Sequence, residues 1–144
     1  MQIDNIEFTK LKKILPETGK SLLDYLAPDI GKVYVVAIAR ERCPACHKQK
    51  PKLDKLAATL KQKHKKKIAF VRIHVKRPPN SEEESLRSKD MFGHYFYPTN
   101  LILLRTRDRG AIEYYRNVSP HMSELEKNIE IAVETATMIK KEMS

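Results

Sequence analysis

At 144 residues and 16.7 kDa, the chain has the length of one domain and can bury a real core. Its composition, 41% hydrophobic and 32% charged, is too apolar for a disordered chain and too charged for a membrane protein. Twenty-eight Lys and Arg against 18 Asp and Glu leave a net charge of +10, and no stretch approaches the roughly 20 apolar residues that span a bilayer.

Residues 1–32 mix short apolar pieces with breakers. Ile6-Glu7-Phe8 reads as a short strand, and Ser21 to Leu26 as a short helix stopped by Ala27-Pro28, with a turn at Gly31. Val33 to Ala39 is a continuous apolar run rich in β-branched residues, the pattern of a central strand covered on both faces. Arg40-Glu41-Arg42 ends it, and Cys43-Pro44-Ala45-Cys46 leads into a helix marked by Leu53, Leu56, Ala57 and Leu60, kinked at Pro51. Ile68 to Val75 is a second strand. After a Pro-Pro-Asn-Ser turn, a helix is expected over 83–92, with Ser81 as N-cap, negative charge from Glu82, Glu83 and Glu84, and Gly93 just past its end. Asn100 to Arg105 is a third buried strand, joined through a tight hairpin at Asp108-Arg109-Gly110 to Ala111–Arg116. A last helix begins near Ser119-Pro120 or at the capping box Ser123-x-x-Glu126, and buries a stripe from Met122 to Ile139. A helical crossover between strands 33 and 68 makes them parallel, whereas the 100–116 hairpin is antiparallel, so the expected fold is α/β with a mixed sheet.

The two cysteines are four residues apart end to end, at the junction of a buried strand and a helix. On a first helical turn their sulfurs can close a small disulfide ring. Cys43 would lie at the helix N-terminus, where unpaired N–H groups and the macrodipole favour a thiolate. Arg42, His47, Lys48 and Lys50 add positive charge, and Pro44 suits the first helical position. These influences all push the Cys43 thiol down in pKa, and the thiolate is the form that attacks disulfides. Cys46, one turn inside, is suited to the resolving role.

The strand-then-CxxC junction from Val33 to Cys46, the helix proline Pro51 and the Tyr97-Pro98-Thr99 step before a buried strand together resemble the thioredoxin-like thiol–disulfide oxidoreductases. The resemblance covers about residues 33–141 as the core of a single domain spanning 1–144, with 1–32 fitting loosely as the first strand and helix. It implies a thioredoxin fold, with a central sheet of four to five strands and helices on both faces. It also implies Cys43 as nucleophile, Cys46 as resolving cysteine, the pair as a redox-active disulfide, and Pro98 as a cis-proline. The Tyr97 backbone would then pair with an extended substrate. Arg42, Pro44 and His47 would tune the site. No cofactor is required, since the electrons reside in the dithiol. Substrates would be protein or small-molecule disulfides, and a reductase or thiol pool would serve as electron donor. The sequence departs from the usual Trp-Cys-Gly-Pro-Cys: it has Arg42-Cys43-Pro44-Ala45-Cys46, with a proline after the first cysteine as in glutaredoxins and periplasmic disulfide oxidases. Ala37 stands where thioredoxins carry a buried Asp that takes the resolving cysteine's proton, with Glu41, His47 and Arg72 as candidate replacements.

Other readings of the same residues exist. Cys43-x-x-Cys46-His47 satisfies the c-type haem attachment pattern. The pair is also half of a zinc site, completed by two of His47, His64, His74, His94 and His121, in which case the chain is a basic binding module and not an enzyme. From Cys46 to Lys67 there are nine Lys and one Asp. This run is a solvated helix face or a surface that steers acidic partner proteins; no interleaved aromatics support specific nucleic-acid recognition. Tyr95, Phe96 and Tyr97 form an apolar wall beside the site or ordinary core. The start Met1–Ile6 has no basic region followed by an apolar run, so a cytoplasmic location is expected. Five Asn and three Gln against 19 Lys and 12 Glu resemble thermophilic usage.

Overall fold

A computed structural model describes residues 2–118 and 121–142. Its elements are, in order, β1 (Ile3–Glu7), α1 (Phe8–Thr18), α2 (Leu22–Leu26), β2 (Val33–Arg40), α3 (Pro44–His64), a 3-10 turn (Lys65–Lys67), β3 (Ile68–Val75), α4 (Glu83–Phe92), β4 (Thr99–Arg105), β5 (Ala111–Asn117) and α5 (Met122–Glu142). The five strands form one sheet in the order β1-β3-β2-β4-β5. β1 and β2 lie parallel on either side of β3, while β4 runs antiparallel to β2 and β5 antiparallel to β4.

Both faces of the sheet are covered, which is why β2 and β4 read as unbroken apolar runs. On one face Val33, Val35, Phe70 and Ile102 meet Leu53, Leu56, Ala57 and Leu60 of α3, and Leu125, Ile129, Ala132 and Ala136 of α5. On the other, Tyr34, Val36, Ile38, Ile73, Leu101 and Leu103 meet Phe8 and Leu11 of α1, Leu26 of α2 and Phe92 of α4. The alternation along each strand decides which helix each residue meets.

The N-terminus differs from the expected short strand over Ile6-Glu7-Phe8. The strand begins at Ile3 and ends at Glu7, and Phe8 does not extend it: it opens α1, 1% exposed, packed against Phe92 with ring centroids 6.3 Å apart. Helix α1 was hidden by Pro16 near its end and by the charged residues between Phe8, Leu11 and Leu15. In α2, Ser21 is the N-cap, its side chain accepting the Asp24 N–H. In α4 the N-cap is Glu82, not Ser81. The Ser81 hydroxyl accepts the Glu83 N–H from one residue earlier. Gly93 closes α4 in the left-handed region at φ 65°, its own N–H and that of His94 both donating to the Lys89 carbonyl. The hairpin is looser than a two-residue turn: 106–110 form a loop closed by Thr106 on the Gly110 carbonyl. Ser119 and Pro120 lie outside the described residues. Ser123 lies inside α5, one residue past its start, and so is not the cap of that helix.

Candidate active site

The apolar run of β2 carries the chain to Arg40 at the C-terminal end of the central strand, and a turn through Glu41 and Arg42 aims it into α3. Arg42 adopts φ 58°, a left-handed conformation uncommon for a side chain of this size. Its Nε donates to the Arg77 carbonyl at 3.1 Å, and the Glu41 carboxylate accepts the Arg77 N–H at 2.8 Å. Two contacts therefore tie this turn to the segment after β3.

Cys43 is the N-cap of α3, with Pro44 following in the first turn, where a missing N–H leaves nothing unsatisfied. The Cys43 Sγ accepts the Cys46 N–H at 3.2 Å, doing for the helix what a serine cap would. A disulfide joins Cys43 to Cys46. Cys43 is half-buried, whereas Cys46 is only 8% exposed. The outer sulfur is accessible and the inner one shielded, at the positive end of a 21-residue helix.

Opposite the sulfurs lies the segment before β4. The Tyr97–Pro98 peptide is cis, and the Tyr97 carbonyl oxygen stands 3.7 Å from the Cys43 Sγ. The Tyr97 hydroxyl donates to the Ser85 carbonyl at 3.0 Å, and the His94 ring meets the Tyr97 ring edge-on at 4.7 Å. The sequence offered His94 only as one of five histidines that could complete a zinc site. It is 2% exposed, hydrogen-bonded through Nε2 to the Ser88 hydroxyl and through Nδ1 to the Phe96 carbonyl. Burial pushes its pKa down to about 4, against the Phe96 hydrogen bond and with the Arg116 and Lys89 charges. It is therefore neutral, with Nδ1–H donating to Phe96. Tyr95 and Phe96 are not core residues: they are 80% and 66% exposed, even though Thr99 and His94 both bond the Phe96 carbonyl.

A cavity of about 890 Å³ opens beneath the first turns of α3, reached by Cys43, Cys46, Arg42, Pro44 and His47 from above and by Glu7, Arg72 and His74 from the sheet. Asn5 and Arg72 on its floor belong to a longer row. Asn5, Arg72, Ala37, Asn100 and Asn117 are successive partners across all five strands, a polar row broken only by Ala37. Arg72 bonds Asp54 of α3 at 2.9 Å and Asn5 at 3.4 Å. Asn100 exchanges two bonds of 2.9 Å with Gln49 of α3 and donates to Asn117. Burial raises the Asp54 carboxyl, but the Arg72 hydrogen bond and charge, helped by Lys50, outweigh it and hold Asp54 below the usual carboxylate range. Next along the strands, His74 Nδ1 lies 3.2 Å from a Glu7 carboxylate oxygen.

The structure thus brings Cys43, Cys46, Pro44, Arg42, His47, Tyr97 and Pro98 into one locality. It divides the lysine run: Lys48 and Lys50 line the cavity beside the cysteines, and the crowded distal lysines are separated from them. Lys61, Lys63 and Lys65–Lys67 sit at the far end of α3, roughly 30 Å along a helix of this length. There Lys63 and His64 bond Glu130 at 2.9 and 2.7 Å. Among the described residues no group of three or more His, Cys, Asp or Glu side chains is placed to share a metal ion.

No family model matches the chain, and none of the curated proteins matches it in sequence. Solved structures do. The Trx4 domain of ERdj5 superposes with a TM-score of 0.61 at 14% identity, covering 94% of this chain and 98% of that one. Thioredoxin NaTrxh from Nicotiana alata gives 0.56 at 21% identity over 89% and 90%, and Trichomonas vaginalis thioredoxin 0.57 at 14% over 90% and 96%. At such identities the likeness establishes the fold: the chain is a thioredoxin fold, α/β with a mixed sheet between helices.

Proposed function

We propose that this thioredoxin-fold chain is a thiol–disulfide oxidoreductase whose working group is the Cys43–Cys46 pair. The observation that carries the reading is the asymmetry of the two sulfurs. Cys43 is half-buried, caps α3 and faces a backbone carbonyl across a groove, while Cys46 is linked to it and shielded.

In the reduced protein the Cys43 thiolate, favoured by the helix N-terminus, attacks one sulfur of a substrate disulfide. The other substrate sulfur leaves and takes a proton, and a mixed disulfide holds Cys43. Cys46 then loses its proton and attacks the Cys43 sulfur. The second substrate thiol is released, and two electrons have passed from the protein dithiol to the substrate. A reductase dithiol or a thiol pool restores the pair by the reverse exchange. Tyr97 and Pro98 bind the substrate chain: with Pro98 cis, the Tyr97 carbonyl points at Cys43 and is free to bond an extended backbone.

The Cys46 proton needs an acceptor, and Ala37 supplies none. Arg72 is a cation already bonded to Asp54, and Glu41 is occupied by the Arg77 N–H. We assign the role to His74, which lines the same cavity as Cys46 and is oriented by Glu7, in preference to His47, which lines it too but stands exposed on the first turn of α3. The substrates are protein or small-molecule disulfides. The chain places both of its cysteines in this pair and none in a structural cross-link, the usage of a reducing compartment such as the cytoplasm.

The test is dithiothreitol-driven reduction of insulin, followed by turbidity. The wild-type chain accelerates precipitation and the Cys43→Ser variant does not. A Cys43→Ser variant as active as wild type, or a wild-type chain without effect, overturns the reading.

A further inference from the structure

The charges beside Cys43 are compensated in an unusual way. Arg72, Arg77, Arg105 and Arg116 each hold a carboxylate: Asp54, Glu82, Asp24 and Glu113 respectively. Arg40 and Arg42 are also fixed in position, but by neutral acceptors. Arg40 donates from Nε to the Glu41 carbonyl at 3.1 Å and from Nη2 to the Arg42 carbonyl at 3.3 Å. Arg42 donates from Nε to the Arg77 carbonyl. Carbonyls orient a guanidinium without neutralising it, so both keep their full charge and spare N–H groups. The nearby carboxylates are engaged elsewhere: Glu41 with the Arg77 N–H, Glu7 with His74, and Asp54 with Arg72 and Lys50. His47 and Lys48, on the exposed first turns of α3, add to the same field.

Position matters as much as charge. The Arg40 guanidinium lies 5.2 Å from the Tyr97 ring centroid, beside the residue whose carbonyl faces Cys43. Arg42 adjoins Cys43 itself. A chain laid along Tyr97 therefore passes the Arg40 guanidinium, and one that reaches Cys43 meets the turn that carries Arg42; oriented guanidinium groups suit planar, two-point pairing with carboxylates. Tyr95 and Phe96 extend from the same segment into solvent, on a backbone pinned at the Phe96 carbonyl. Fixed, exposed aromatic surface next to cationic surface fits a polypeptide better than a small anion.

We propose that the cystine served by this site lies in an acidic stretch of polypeptide, selected by Arg40 and Arg42 through carboxylates flanking the reacting sulfur. The proposal rests on the oxidoreductase reading and names its substrate class. It also relocates the selective charge, from the lysine-rich far end of α3 to the turn beside the nucleophile.

The experiment uses three cystine peptides of one sequence, differing only in whether the residues flanking the half-cystines are Glu, Gln or Lys. Their reduction by the intact chain is followed under dithiothreitol recycling, at low salt and at about 0.5 M salt, where screening lengths shrink to a few ångströms. The kcat/KM should fall in the order Glu, Gln, Lys. The Glu-to-Gln ratio should be on the order of tenfold at low salt, near unity at high salt, and lost in the Arg40→Gln/Arg42→Gln variant. Equal rates for the Glu and Gln peptides, or a preference unchanged in that variant, overturn the proposal. Labelled peptides with Ser for Cys, which cannot react, report binding alone by fluorescence anisotropy. If no cystine peptide is reduced, the redox reading fails and these decide the charge selection. Tighter binding of the Glu peptide that depends on Arg40 and Arg42 supports it, and equal binding refutes it.

Discussion

His94 makes the stability of this fold depend on pH in a predictable direction. It is buried beneath Tyr97, and its pKa falls from an ordinary 6.5 to about 4 because burial penalises the charged ring. Between these values the unfolded chain binds a proton that the folded chain refuses, so stability rises with pH across the window and is lost as pH falls from 6.5 toward 4. At roughly 1.4 kcal/mol per unit, the loss by about pH 4.5 is at most about 2–3 kcal/mol, a sizeable share of a typical domain's stability. The carboxylates Asp24, Asp54 and Glu130 are held below their ordinary 3.8 to 4.5, so their contributions disappear mainly at lower pH. Urea unfolding of wild type and His94→Gln at pH 7 and at about pH 4.5 isolates the effect. Glutamine can still donate toward Phe96 and accept from Ser88 but does not titrate. Any structural cost of the substitution cancels in the difference between the two pH values, as do the histidines common to both proteins. The wild type should lose more than the variant over this interval, by up to about 2–3 kcal/mol. If the two lose stability in parallel, His94 is not held neutral by the fold and the reasoning fails.

Other outcomes follow from the same geometry. Cys46→Ser should accumulate a covalent adduct with a disulfide substrate, located at Cys43 by mass spectrometry; an adduct-free protein would show that Cys43 does not initiate exchange. His74→Gln should slow release from the mixed disulfide by about tenfold at neutral pH while leaving the first attack unchanged, as read by quenched-flow trapping. A release rate equal to wild type would mean that Cys46 delivers its proton straight to solvent. Phe8→Ala should cost about 3–5 kcal/mol in urea unfolding, because the ring is 1% exposed between α1 and α4. A cost below about 1 kcal/mol would show that α1 is not part of the core.

How much of this was visible in the sequence varies from element to element. β3 and α4 match their expected bounds, because breakers or a change of periodicity mark both ends: Lys65–Lys67 before Ile68, and Gly93 after Phe92. The Cys43–Cys46 junction was legible for the same reason, a buried run ending abruptly in charge and then Pro44. Helix α1 was not. Its apolar stripe at Phe8, Leu11 and Leu15 was the available signal, but Pro16 and the intervening lysines obscured it. The sequence named His74 and His94 only as possible zinc ligands, and neither the buried seat of His94 nor the Glu7–His74 pair could be read from it. Each gains its meaning from a partner brought close by the fold, Tyr97 in one case and a neighbouring strand in the other.

Position 37 shows why register carries information that motif matching lacks. By spacing alone, Ala37 is a missing carboxylate. In the sheet it is the small central member of a row with Asn5 and Arg72 on one side and Asn100 and Asn117 on the other. Arg72 and Asn100 both reach up to α3, to Asp54 and Gln49, one on each side of position 37. Along its first half α3 is therefore fastened to the sheet by directional bonds at Gln49 and Asp54, and apolar packing joins them from Leu53 onward. Directional bonds fix the rotation and height of a helix more tightly than methyl contacts do, and the rotation of α3 decides which sulfur faces the groove. A carboxylate at position 37 would sit between these two clamps and compete with Asp54 for Arg72. On this view Ala37 and Arg72 form one arrangement, in which a cation and two amides hold the active-site helix, and the task of receiving the Cys46 proton has moved one step along the strands to His74.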